Sequence, residues 1–221
     1  MKLYNYFRSS ASFRVRIALA LKGLSYEYIS VHLARGDQRL PGYASISADQ
    51  LVPLLEVDGE RLSQSMAIIE YLDETHPEPP LLPADALGRA RVRALAQMIA
   101  CDIHPLNNLR VLKYLTRELG VSEPAKDGWY RHWVRTGLEA FERQLGWLAD
   151  CRAKAGLQPS TYCWGDAPTL ADCCLVPQIF NARRFSVDLQ GLPRTMAVFD
   201  TCMRHPAFVQ AQPSNCPDHE A

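Results

Sequence analysis

The strongest constraint on this chain's fold is a change of character at the segment Pro77-Glu78-Pro79-Pro80-Leu81-Leu82-Pro83. Ahead of it, strand-like and helix-like signals alternate; behind it, only helical periodicity remains. Closely spaced prolines remove backbone donors and restrict φ, so neither a helix nor a sheet strand runs through such a stretch. The segment reads as a linker. The sequence therefore predicts an α/β unit over residues 1–80 and an all-helical unit over residues 88–211. With 221 residues, both can bury real cores.

Within the first part, Lys2–Tyr6 suits a strand. Ser10 to Lys22 follows as a helix, with Phe13, Ile17 and Leu21 four apart on one face and Gly23 closing it. Residues 26–33 place Ile29, Val31 and Leu33 on one side, as a second strand does. Leu54–Val57, Asp58-Gly59 and Arg61-Leu62 form a hairpin with a two-residue turn. Ser65 is expected to cap a helix running to His76, which Pro77 ends. The order β-α-β, a variable stretch, then β-β-α is the thioredoxin-like arrangement. In the second part, a long helical stretch over 88–118 should kink at Pro105. Another covers 126–150, with Leu138, Phe141, Leu145 and Leu148 at core spacing. Thr169-Leu170-Ala171-Asp172 resembles a capping box opening a helix through 173–180.

Lysine plus arginine (24) equals aspartate plus glutamate (24), so no net field draws nucleic acid or an anionic membrane. No apolar run approaches the roughly 20 residues of a spanning helix, and the N-terminus lacks a signal-peptide layout. The seven cysteines all lie from Cys101 onward without a CxxC pair. That pattern fits reduced, mostly buried thiols in a cytoplasmic protein, and neither a disulfide framework nor a metal site.

Three junctions carry chemistry. In Arg8-Ser9-Ser10-Ala11-Ser12, hydroxyls and free N–H groups gather at a helix N-terminus, which either caps the helix or holds an anion. A thiolate is one such anion. A free thiol with a pKa near ~8.5 is only about 3% ionised at pH 7. Lowering that pKa by roughly 2 units takes about 2.7 kcal/mol. A charge-assisted hydroxyl hydrogen bond (~1.5–3 kcal/mol) and a helix terminus (~0.3–1 kcal/mol) supply that without a metal. Val52-Pro53 precedes a strand, where thioredoxin-like folds place a cis proline that offers the preceding backbone to a peptide ligand. Gln64-Ser65 opens a helix, as a simple cap or as a seat for the α-carboxylate of a γ-glutamyl group.

The segment Ser9-Ser10-Ala11-Ser12-Phe13-Arg14-Val15-Arg16-Ile17-Ala18-Leu19 closely resembles the signature of the zeta-class glutathione transferases. Gln64-Ser65-Met66-Ala67-Ile68-Ile69-Glu70-Tyr71-Leu72 is similar to that family's γ-glutamyl site. Asp102 to Arg110, Asp172 to Gln178 and Asn181 to Leu189 match too, and the resemblance runs from about residue 1 to 210. It is strongest toward bacterial maleylacetoacetate and maleylpyruvate isomerases. It implies a homodimer of the glutathione-transferase fold, a glutathione cofactor and a small diketo-acid dicarboxylate substrate. Carried over by position, the glutathione contacts are Ser9, Ser10, Ala11, Gln38, Val52, Gln64 and Ser65, with His104 and Asn108 from the second domain. Ser9 is the first choice for holding the thiolate and Ser10 the second. Arg8, Arg110 and Arg184 stand where the similar isomerases bind substrate carboxylates, a task suited to arginine's planar fork.

The activity implied is glutathione-dependent cis-trans isomerisation of maleylacetoacetate, in which glutathione is not consumed. Maleylpyruvate isomerisation, conjugation or dehalogenation of small electrophiles, and non-catalytic glutathione binding are the alternatives. Two departures stand out: Ala11 replaces the family's usual cysteine, and Ser45–Gln50 lacks the usual Leu-Asn-Pro.

Overall fold

In the computed structural model, which describes residues 1–220, the chain forms two units. One comprises Met1–Leu81 together with the residues from Met203 onward, and the other is Leu82–Cys202.

The first unit runs β1 (Lys2–Asn5), α1 (Ser10–Leu21), β2 (Glu27–Ser30), α2 (Pro41–Ala44), β3 (Leu54–Val57), β4 (Glu60–Ser63) and α3 (Ser65–Thr75). Its sheet has the order β2-β1-β3-β4, with β2 parallel to β1 and the other neighbours antiparallel. The second strand is shorter than its alternation predicts. Val31 N–H still donates to Asn5 O (2.8 Å), but Asp37 Oδ2 then takes His32 N–H (3.0 Å) and turns the chain away. The hairpin turn places Asp58 and Gly59 at φ 51° and 85°, the left-handed pair that a two-residue loop demands. Helix α1 ends as expected at Gly23, whose φ of 64° lets its N–H reach Ala20 O and Leu24 N–H reach Leu19 O.

The second unit is all-helical: α4 (Ala86–Gln97), α5 (His104–Leu106), α6 (Leu109–Arg117), α7 (Glu123–Lys154), α8 (Leu170–Arg184) and α9 (Pro193–Cys202). The stretch expected as one helix kinked at Pro105 is interrupted more thoroughly. Pro105 has no N–H to return to the preceding turn, and residues Met98–Ile103 widen into a π-helical turn. Asn107 stops α5, and Asn108 restarts the chain by capping α6, its Oδ1 accepting from Arg110 N (3.1 Å). Gly137 on α7 gives Ile103 its room, because a Cβ there would overlap the isoleucine side chain. Leu138, Phe141, Leu145 and Leu148 are buried, as their spacing predicts. The capping box at α8 is present: Asp172 Oδ2 accepts from Thr169 N–H (2.8 Å) and Thr169 O–H (2.7 Å).

The chain then returns to the first unit through α10 (Pro206–Gln210), which packs on α1. This corrects the expected extension of the helical unit to residue 211. Ala207, Phe208 and Ala211 are buried, and Arg16 Nε donates to Ala211 O (3.1 Å). A buried guanidinium requires acceptors, and this segment supplies one. All seven cysteines are free thiols, five of them buried. Among the described residues, no helix is long and apolar enough to cross a membrane.

Candidate active site

Strand register decides which loops meet in the first unit. Tyr4 pairs with Leu54, and Leu54 pairs with Ser63. The C-terminal end of β1, the start of β3 and the end of β4 therefore lie at one edge of the sheet. The residues just outside them are the Tyr6–Ser9 turn, Val52-Pro53 and Gln64-Ser65, so the three junctions singled out in the sequence come together. The Val52–Pro53 peptide is cis. The unusual segment before it is held by local bonds: Asp49 Oδ1 accepts from Ser47 O–H (3.0 Å) and Leu51 N–H (3.1 Å).

Ser9 is the N-cap of α1, its Oγ accepting from Ser12 N–H at 3.2 Å. A hydroxyl carries one proton and two lone pairs, so a cap that accepts leaves the O–H able to donate to an anion. Ser9 and Ala11 are half-buried, whereas Ser10, the first helical residue, is buried. Arg8 is exposed, with its guanidinium 4.9 Å from the centre of the Phe7 ring.

At α3 the structure corrects one expectation. Ser65 is not the cap but the first helical residue; Gln64 flanks the helix, at φ 67° and ψ 112°, and its side chain caps nothing. A non-glycine residue in that region is strained, which marks functional sites. Ser65 Oγ accepts from the buried Arg14 guanidinium at 3.2 Å, which leaves its own proton able to donate. An exposed Gln64, the Ser65 hydroxyl, first-turn N–H groups without a side-chain cap and a buried cation behind them together favour a carboxylate. Gln38 lies in a short 3-10 turn (Asp37–Arg39); its Oε1 is buried without a hydrogen-bond partner, an acceptor waiting for a donor.

The remaining candidates belong to the second unit. His104 opens α5 and is half-buried. Asn108 spends its oxygen on the α6 cap, leaving its amide NH₂ to donate. Arg110 is exposed in the first turn of α6. Arg184 is exposed at the end of α8, with its guanidinium 4.8 Å from the Phe185 ring centre. Phe185 in turn stacks on Tyr130 at 3.7 Å, so the cation rests on an aromatic platform. Burial pushes the Tyr130 hydroxyl up to about 12, the Arg184 charge acting against it, so it stays protonated.

Sequence reasoning gave Arg14 and Arg16 no role. The signal was present: residues two apart on a helix point about 200° from each other, so an Arg-x-Arg among apolar neighbours cannot place both in water. Both are buried.

The first unit matches a family model described as "Glutathione S-transferase, N-terminal domain" over residues 1–74. Along its whole length the chain is 48% identical to the maleylacetoacetate isomerase of Pseudomonas aeruginosa, covering 100% of both. A solved maleylpyruvate isomerase, described as a bacterial glutathione transferase of zeta class, superimposes with a TM-score of 0.93 at 46% identity over 100% of both chains. The chain belongs to the zeta-class glutathione transferases. Another neighbour, the maleylacetoacetate isomerase of Methylobacterium extorquens AM1 solved with malonate and glutathione, aligns at TM-score 0.92 and 37% identity over 100% of both chains. In this zeta-class chain, the loop residue that follows the serine pair Ser9-Ser10 is Ala11.

Proposed function

We propose that this chain is a glutathione-dependent cis-trans isomerase acting on maleylacetoacetate, as a homodimer in the cytoplasm. One observation carries the reading. In a chain alignable end to end with such isomerases, three junctions converge on one sheet edge and offer a donor for a thiolate, a backbone for a peptide and an electropositive helix start for a carboxylate.

The residues fit glutathione, since the orphaned Gln38 Oε1 and the uncapped start of α3 are the kinds of group its ammonium and carboxylate satisfy. When bound, glutathione supplies a thiol nucleophile that is returned at the end of the cycle. Ser9 is the hydroxyl that holds the thiolate, with Ser10 as second candidate and Ala11 beside them. Val52 presents its backbone to the tripeptide, and Gln64 and Ser65 receive the γ-glutamyl carboxylate. His104 and Asn108 add polar contacts. Arg8, Arg110 and Arg184 take the substrate's carboxylates and stabilise negative charge developing on its carbonyl oxygen.

A second reading, maleylpyruvate as the substrate, is favoured by the similarity to the zeta-class maleylpyruvate isomerase. An assay of both cis diketo acids, with and without glutathione, tests the proposal. Isomerisation shows as loss of cis substrate with no net loss of glutathione. Consumption of glutathione in proportion to substrate would mean conjugation instead, and binding without turnover would mean a non-catalytic protein.

A further inference from the structure

We propose that Asp218 is a positioning residue for the reaction, acting through the Tyr6–Ser9 turn to place the Ser9 hydroxyl. The proposal rests on the assignment of Ser9 as the thiolate donor.

The turn is closed by Ser9 N–H donating to Tyr6 O (3.0 Å), and its geometry fixes where Ser9 enters α1. Its second residue, Phe7, is buried and held from both sides by charged groups. Arg16 Nη2 donates to Phe7 O (3.1 Å) and Nη1 to Tyr6 O (3.4 Å). On the other face, Phe7 N–H donates to Asp218 Oδ2 at 3.3 Å. The Asp218 carboxylate is itself anchored to β2, accepting from the Tyr28 hydroxyl and from Ser30 O–H (2.9 Å). One carboxylate thus ties the end of β2 to the backbone two residues before Ser9.

The segment carrying Asp218 is bound into the unit at several further points. Cys216 is buried in the same apolar cluster as Tyr6, Phe7, Val31 and Val52. His219 meets the Phe7 ring edge-on at 5.4 Å, and His32 pairs with Glu220 at 3.2 Å. Arg16 reaches both this segment, at Ala211 O, and the turn. A strap that merely covered the core would have no need of a carboxylate on a backbone N–H at the catalytic turn. Precise placement of a donor is what such support supplies, because small displacements of a catalytic group cost large factors in rate.

The test compares Asp218→Ala, Asp218→Asn and Ser9→Gly with the wild type. The readouts are the pKa of bound glutathione from thiolate absorbance, kcat and KM for the cis diketo acid, and Tm. Asp218→Ala should raise the thiol pKa by about one unit and lower kcat roughly tenfold, with KM for the diketo acid unchanged. Asp218→Asn should recover part of both, since its amide oxygen can still accept from Phe7 N–H but cannot also serve both hydroxyls. A lower Tm with wild-type thiol pKa and kcat would reduce Asp218 to a structural role and overturn the proposal. If Ser9→Gly raises the thiol pKa while the Asp218 variants do not, only the positioning role falls. If Ser9→Gly also leaves it unchanged, the thiolate assignment and the proposal fall together. Should Asp218→Ala not fold, Asp218→Asn and Tyr28→Phe carry the same readouts.

Discussion

Replacing Ser9 by glycine should separate the capping role of its hydroxyl from the thiolate-holding role proposed for it. The oxygen caps α1 by accepting from Ser12 N–H at 3.2 Å, and the proton is free to donate to a thiolate. Alanine at an N-cap costs about 1 kcal/mol, whereas glycine costs only a few tenths, so Ser9→Gly removes the donor while nearly preserving the helix. A charge-assisted hydrogen bond of ~1.5–3 kcal/mol corresponds to about 1–2 units of thiol pKa. If the bound thiol titrates near ~6.5, about three-quarters is ionised at pH 7; a rise of ~1.5 units leaves about one-tenth. Turnover at pH 7 should therefore drop roughly tenfold and recover as pH rises past the new pKa. Thiolate absorbance titrated against pH, together with a pH–rate profile, measures both. An unchanged thiol pKa, with any rate loss independent of pH, would remove Ser9 from this role and pass it to Ser10.

Substitutions at three further residues test other parts of the molecule. Arg184→Ala should lower kcat/KM for the diketo acid by up to about a hundredfold, the loss of a charge-assisted pair, and Arg184→Lys should recover only part; equal losses on an uncharged acceptor would mean that Arg184 supports structure and not carboxylate binding. Lys22→Met should destabilise the first unit by about 3–5 kcal/mol in denaturant titration, because the buried ammonium serves Asp73 Oδ1 (2.6 Å), His76 O and Pro79 O (both 2.7 Å). A change below about 1 kcal/mol would show that the linker does not need this anchor. Glu142, buried in α7, accepts from Thr195 N–H (2.8 Å), Thr195 O–H (2.7 Å) and Arg194 N–H (3.1 Å) at the start of α9. Burial pushes its pKa up, but the bonds from Thr195 and Arg194 outweigh that and hold it below the usual value. Its stabilisation is therefore present above the unfolded pKa of about 4.3 and is lost as pH falls through the folded one. The Tm gap between wild type and Glu142→Gln should be constant near neutrality and narrow in acid; a gap that does not change with pH would contradict this.

The parts of the fold legible in the sequence are those governed by local chemistry. Asp58-Gly59 demands a left-handed two-residue turn, Gly23 a left-handed helix end, and Thr169 with Asp172 a capping box, and each is found. What stayed hidden depends on partners distant in sequence. Nothing near Asp218 announces that its carboxylate will meet Phe7 N–H, or near Ala211 that its carbonyl will serve Arg16. For that reason the local signals do not reveal that the residues from Met203 onward belong to the first unit. Pro105 announces a disturbance, but a missing N–H specifies only that the helix must adjust; packing of Ile103 on Gly137 accompanies the π-helical turn it adopts.

The same distinction explains why the site residues were ambiguous one at a time. For Ser9, helix capping and anion binding look like competing explanations in the sequence, and the geometry makes them compatible because acceptor and donor are different parts of one hydroxyl. For Ser65 the local explanation is wrong: the residue is the first of its helix and not the cap, and its hydroxyl accepts from Arg14, 51 residues away in sequence. In both serines a protein group occupies an acceptor position and leaves the proton able to donate. A residue-by-residue motif cannot express that arrangement, because it depends on the donor opposite each oxygen. Placing two such protons at helix starts on one sheet edge, with the register set by Tyr4, Leu54 and Ser63, is what makes this edge suited to binding anions at both places.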